Sequence, residues 1–229
     1  MKTITTKIFI VAMVLLFGNA FRSTAQVLPT TSGVNFLCNG SDLDFGAPAA
    51  NTTWIVRYSA TSTTTPSAGV ALTGNKVPAA SVQTGYYYLI SKGTAAGSCE
   101  SSPQEIPVYK FAPISVAFTA ADYCSENAAT TTFTGTTTAS DPNVSTYAYQ
   151  WYTVDAGGLA TAISGATSST YTPTLTNNTN ADISTTYRLQ SGYLVAGNKY
   201  CGTTVDHVVK VLAKPTTPTI TIPSTAQTW

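Results

Sequence analysis

The chain has 229 residues with 11 basic side chains, 10 acidic ones and a single histidine, and only 9% of it is charged, against about 25% in an average soluble domain. So weak a charge excludes a nucleic-acid partner, because phosphate binding needs a clustered basic surface. Disorder is excluded too, since 43% of the residues are hydrophobic and 13 Tyr and 3 Trp are available to build cores.

From the N-terminus, Lys2 and Lys7 precede an unbroken apolar run from Ile8 to Phe17, followed by Arg22, Ser23 and Thr24. Residues 1–25 read as a secretory signal peptide, with Ser23 and Ala25 as the small side chains for cleavage before Gln26. The competing reading is a membrane anchor. The apolar run of ten residues is about half of the roughly 20 needed to span a bilayer, and no later segment could span one. Removal of the leader leaves 8 basic and 10 acidic residues, a nearly neutral protein.

Beyond the leader, short alternating segments are bounded by Gly, Pro, Asn and Thr-Ser clusters, and none keeps helical spacing. The chain is therefore expected to be all-β. In the first half Trp54, Val56 and Tyr58 alternate with Ile55 and Arg57, and Tyr86, Tyr88 and Ile90 with Tyr87 and Leu89. In the second half Tyr147, Tyr149 and Trp151 share one face, as do Val205, His207, Val209 and Val211. The halves repeat in order: Cys38, Trp54, Tyr86–Tyr88, Cys99 and a strand through Val108 match Cys124, Trp151, Tyr187, Cys201 and a strand through Leu212. An internal duplication accounts for this. It predicts two tandem Ig-like β-sandwich modules, residues 26–112 and 113–213, each with its Trp (Trp54, Trp151) in the core. The Phe111-Ala-Pro113 junction should be stiff. Residues 214–229 read as a linker or as the truncated start of a third module, because Thr219, Ile220, Thr221 and Ile222 alternate as an opening strand would.

A search for chemistry returns little. His207 alternates with valines on a closing strand, which suits a structural histidine. No Gly-x-Ser-x-Gly elbow occurs, and four dispersed Cys with one His do not make a zinc set. Asp42 and Asp44 flank Leu43 on one strand face, but calcium wants six to eight oxygens and no Asp-rich loop surrounds them. No catalytic residue, cofactor or metal ligand is assigned. Tyr87 faces away from Tyr86 and Tyr88, and Tyr152 away from Trp151, so both are candidates to stack a sugar ring on an outer sheet surface, with cross-strand packing as the alternative.

Tyr149-Gln-Trp-Tyr152, Gly157-Gly158, Ile163-Ser-Gly-Ala-Thr167, Tyr171-Thr-Pro173, Thr186-Tyr187 and Cys201 resemble the Ig-like repeats of large secreted and surface proteins of the Bacteroidota. The first half matches more loosely, through Cys38-Asn-Gly-Ser41, Trp54, Tyr86-Tyr87-Tyr88 and Cys99-Glu-Ser101. The resemblance implies an adhesin-type or accessory module, exported by the leader and then by a type IX system, although no C-terminal sorting domain is visible. The function expected is a structural or adhesive role at the cell surface, with surface glycans or other proteins as partners. The alternative is a set of carbohydrate-binding modules attached to a larger secreted enzyme. Four Cys behind a leader imply one disulfide per module, Cys38 with Cys99 and Cys124 with Cys201. In the usual strand order, however, the loops holding each pair lie at opposite ends of a sandwich.

Overall fold

The computed structural model describes residues 26–215 and 217–220. The leader assignment (1–25), with its cleavage residues Ser23 and Ala25, and the Thr221 and Ile222 end of the C-terminal segment lie outside the described residues. The chain divides into two compact units that meet between Phe111 and Ala112.

The described residues of the first unit form seven strands: β1 (Asn35–Leu37), β2 (Leu43–Asp44), β3 (Thr52–Ser59), β4 (Ala68–Val70), β5 (Lys76–Val77), β6 (Gly85–Gly93) and β7 (Gln104–Lys110). One sheet runs β1-β7-β6-β3-β4, and a second consists of β2 and β5 alone. All pairs are antiparallel except β1 with β7, which run parallel from Asn35↔Val108 to Leu37↔Lys110. The alternation of β3 and β6 places one face inward. Val56 stands opposite Leu89, and Tyr58 opposite Tyr87; Tyr87 in turn stands opposite Ile106. Leu43, Val77 and Val82 close over them. Full burial of one such side chain stabilises by about 1.5–3 kcal/mol.

The second unit has β8 (Ile114–Thr119), a short 3-10 turn (Ser125–Thr130), β9 (Phe133–Ala139), β10 (Tyr147–Val154), β11 (Ala160–Ala162), β12 (Thr170–Tyr171), β13 (Ile183–Val195) and β14 (Asn198–Val211). Its sheets run β11-β10-β13-β14 and β12-β9-β8, which is the two-layer strand order of an Ig-like sandwich. Between them lie Phe118, Tyr123, Phe133, Trp151, Tyr187, Leu189, Val209 and Val211. Trp151 is fully buried, ringed by Phe118, Phe133 and Tyr171 at centroid distances of 4.9, 6.1 and 5.7 Å. Its indole N–H donates to the Ser168 carbonyl at 2.9 Å.

Trp54 departs from its expected place. It lies on the inward-facing parity of β3, but opposite Ser91 near one end of the strand pairing, and it is only partly buried. Its indole N–H donates to the Gly46 carbonyl at 3.0 Å in an exposed setting. The second sheet of this unit is two residues per strand, too short to roof the whole length of β3, so Val56 takes the centre of the core.

The cysteine pairing is also corrected. Cys38 and Cys201 are disulfide-bonded, while Cys99 and Cys124 are free thiols; neither Cys38–Cys99 nor Cys124–Cys201 exists. The topology explains why. Cys38 follows β1 and lies level with Phe111, because the Phe111 N–H donates to the Leu37 carbonyl, whereas Cys99 precedes the start of β7 at Gln104. At about 3.3 Å per residue along β7 that is roughly 20 Å, far beyond the ~7 Å limit between Cα atoms. Likewise Tyr123 bridges Val211 at the end of β14, so Cys124 is about 30 Å along that strand from Cys201.

Among the described residues, no helix is long and apolar enough to cross a membrane. A disulfide is characteristic of an oxidising compartment.

Candidate binding face of the second unit

The outward side of the β11-β10-β13-β14 sheet is where polar and aromatic side chains collect. Because Trp151 and Leu189 point inward, their neighbours Gln150, Tyr152, Arg188 and Gln190 point outward. Gln150 stands opposite Gln190, Tyr152 opposite Arg188, and Ala148 opposite Gly192. Gln190 and Tyr152 are diagonal neighbours, and the Tyr152 hydroxyl donates to Gln190 Oε1 at 2.7 Å. This bond ties the Tyr152 ring to the next strand. Gln150 is held as well: its amide NH2 donates to the carbonyls of Trp151 and Ile163, both at 2.9 Å.

The floor beside these groups is made of small residues. The register of β13 with β14 slips between Ser191 and Tyr193, and Cys201 adopts φ +55° there; such a bulge bends the sheet locally. Gly192 sits in the slip with no room for a side chain, since a Cβ would lie 2.6 Å from the Tyr200 carbonyl and 3.2 Å from Gly202 Cα. A Cβ on Gly202 would meet Gln190 Nε2 at 2.8 Å. The result is a cleft of about 310 Å³ lined by Ala148, Gln150, Tyr152, Ala162, Gln190, Gly192, Lys199 and Gly202 among others. No carboxylate lines it. The nearby Asp206 is tied to Arg188 by two hydrogen bonds of 2.6 and 2.8 Å, and this guanidinium holds the Asp206 carboxyl below the usual range.

Tyr87 also departs from its expected place. Its parity relative to Tyr86 and Tyr88 is as expected, but it is the inward member: it is 1% exposed, and its hydroxyl accepts the Gln83 N–H and donates to the Gln83 carbonyl. No sugar can stack on it. Tyr86 and Tyr88, on the opposite face, are buried too. The segment between β3 and β4 folds over that face. Thr63 N–H donates to the Tyr88 hydroxyl at 2.7 Å, Arg57 donates to the Pro66 carbonyl, and Ser62 joins the Tyr88 hydroxyl on Glu105. In the second unit the corresponding connection is the tight turn 155–159, in which Asp155 Oδ1 accepts the N–H groups of Gly157 and Leu159. It covers nothing, and Tyr152 remains partly exposed.

The remaining candidates have structural partners. His207 is exposed on β14 and packs edge-on against Phe118, 5.6 Å away. Asp42 accepts the Ala79 N–H. Asp44 accepts the Gly46 N–H and pairs with Lys76 at 3.1 Å, two contacts that hold its carboxyl below the usual range. Among the described residues no group of three or more His, Cys, Asp and Glu could hold a metal ion.

Two buried phenols give the second unit a pH response. Burial pushes the Tyr187 hydroxyl far above the ordinary tyrosine value, and burial with the nearby Asp141 and Tyr147 pushes Tyr193 up to about 12. Both groups ionise more readily in the unfolded chain, near pH 10. Stability is therefore full below about pH 10 and falls as pH rises through 12. Tyrosinate absorbance and Trp fluorescence, followed together in an alkaline titration, should show the last phenols ionising only as the fold is lost. Complete titration near pH 10 with the fold intact is the opposite result.

No family model matches the chain, and no curated protein sequence matches it. Among solved structures it is similar to the fibronectin(III)-like modules of Clostridium thermocellum CbhA, with a TM-score of 0.36 and 12% identity over 81% of this chain and 92% of that one. It is similar to the amphioxus IgVJ-C2 molecule, with a TM-score of 0.28 and 12% identity over 76% of this chain and 98% of that one. A mutant of Salmonella alpha-2-macroglobulin gives a TM-score of 0.27 and 9% identity over 82% of this chain and 15% of that one.

Proposed function

We propose that the chain is an exported, non-catalytic protein of two tandem Ig-like modules with a structural and adhesive role, in which the second module carries the binding face and the first acts as its spacer. The observation that carries this reading is the contrast between equivalent sheet faces. In the first module the face around Tyr88 is sealed by the chain's own 60–67 segment; in the second the face around Tyr152 is uncovered and bears a cleft. The leader-like residues 1–25 and the disulfide-bonded Cys38 and Cys201 support an oxidising destination outside the cytoplasm. Attachment to a larger secreted enzyme as a carbohydrate-binding module is the second reading, favoured by the tethered, partly exposed Tyr152 ring.

Expression of the full chain in its own export background tests both halves of the proposal. Secreted material should begin at or near Gln26 and should be retained on intact cells or extracellular matrix. The Tyr152→Ala, Gln190→Ala double variant should lose that retention without a change in Tm. An intact Met1 on the external protein overturns export, and unchanged retention by the double variant overturns the assignment of the face.

A further inference from the structure

We infer that the cleft on the second module takes a pyranose ring bearing a carboxylate, as in the uronic acid units of acidic polysaccharides. The inference rests on the reading of this face as the binding surface and specifies its ligand. Three properties of the site converge. The first is a platform. Tyr152 is partly exposed and pinned at its hydroxyl by Gln190, and an aromatic ring held in place is suited to the C–H face of a sugar ring. The second is a pair of amides fixed in complementary senses. Gln150 spends its NH2 on the carbonyls of Trp151 and Ile163, which leaves Oε1 as an acceptor; Gln190 spends Oε1 on Tyr152, which leaves its NH2 as a donor. A sugar hydroxyl both donates and accepts, so this set matches neighbouring hydroxyls, and because both amides are already held little ordering cost remains.

The third is charge. Among the described residues, Lys199 is the one ionic side chain lining the cleft and makes no ion pair, whereas Arg188, opposite Tyr152, is neutralised by Asp206. An ammonium without a counterion, beside a cleft without a carboxylate, prefers an anionic ligand to a neutral one. The small floor at Ala148, Gly192 and Gly202 gives the ring room to approach the sheet, and about 310 Å³ is at the lower end of small-molecule sites, the scale of one or two sugar rings.

The test uses the mature chain, residues 26–229, titrated with oligogalacturonides and with neutral galacto- and gluco-oligosaccharides of equal length, by calorimetry and by saturation-transfer NMR. The acidic oligomers should bind about three- to tenfold more tightly at low salt, with the margin shrinking as salt rises. Lys199→Gln should erase that margin. Tyr152→Ala should abolish binding of both, while Tyr152→Phe, which keeps the ring and loses the tether, should retain part of it; unchanged Tm in each variant separates these effects from misfolding. Equal affinity for acidic and neutral oligomers overturns the carboxylate assignment. Absence of binding to any of them overturns the sugar assignment altogether, while retention on cells that is still lost in the double variant would leave the adhesive reading standing with another ligand.

Discussion

Replacing Trp151 with alanine should destabilise the second module by about 3–5 kcal/mol, the usual range for deleting a fully buried large aromatic. The side chain has no exposed surface, and from its own sheet it packs on three aromatic rings of the facing sheet, Phe118 on β8, Phe133 on β9 and Tyr171 on β12. Its removal leaves a cavity that neither sheet can close, and it orphans the Ser168 carbonyl that the indole N–H satisfies. For a unit of about 100 residues the loss corresponds to a fall in Tm of about 15 °C. Urea denaturation followed by far-UV circular dichroism measures it. Trp54→Ala, at the partly roofed end of β3, should cost clearly less, and equal costs at the two positions would contradict the asymmetry between the two cores.

The second large effect is expected at Asn177, a fully buried polar residue. Its amide NH2 donates to the carbonyls of Ala181 at 2.8 Å, Val211 at 2.9 Å and Leu212 at 3.3 Å. Its Oδ1 accepts from both the N–H and the hydroxyl of Thr179. One side chain thus ties the loop after β12 to the end of β14. Asn177→Ala strands several buried polar groups, each costing about 1–3 kcal/mol where water cannot replace the partner, so a net loss of about 2–4 kcal/mol is expected. Asn177→Asp, nearly identical in shape, is the sharper variant: a carboxylate has no N–H to offer three carbonyls, so it should be at least as destabilising near neutral pH. A mild Asn177→Asp would mean that volume, not donation, is what the site needs.

The all-β architecture, the strand alternation and the Trp151 position were legible from the sequence because period-two patterning and large aromatics report directly on sheets and cores. What was not legible depended on how far a second layer extends. Trp54 and Trp151 hold equivalent places in the repeat, yet β2 and β5 are too short to bury the former. For Tyr87 the alternation was clear but its sign was not, since both faces of β6 carry bulky apolar groups: Tyr87 and Leu89 on one, Tyr86, Tyr88 and Ile90 on the other. The cysteines failed for a related reason. Matched order in two repeats suggests equivalent pairs, whereas pairing depends on which end of a strand each residue occupies. At the candidate site, Tyr152 was visible as the outward neighbour of Trp151, but Gln150, Gln190 and Lys199 looked like ordinary surface residues. Only the register of β10 with β13 and the slip near Gly192 bring them together. Asn177 lies in a polar run, 176–180, that reads as a solvated loop.

The parallel pairing of β1 with β7 has a mechanical consequence. The register Asn35↔Val108 to Leu37↔Lys110 sets the start of β1 and the end of β7 at opposite ends of the paired segment. Tension drawn between them slides one strand along the other and loads the bridging hydrogen bonds together, whereas a hairpin pulled at its open end gives way one bond at a time. Pulled between those two points, the β1–β7 pair would therefore resist as a shear clasp.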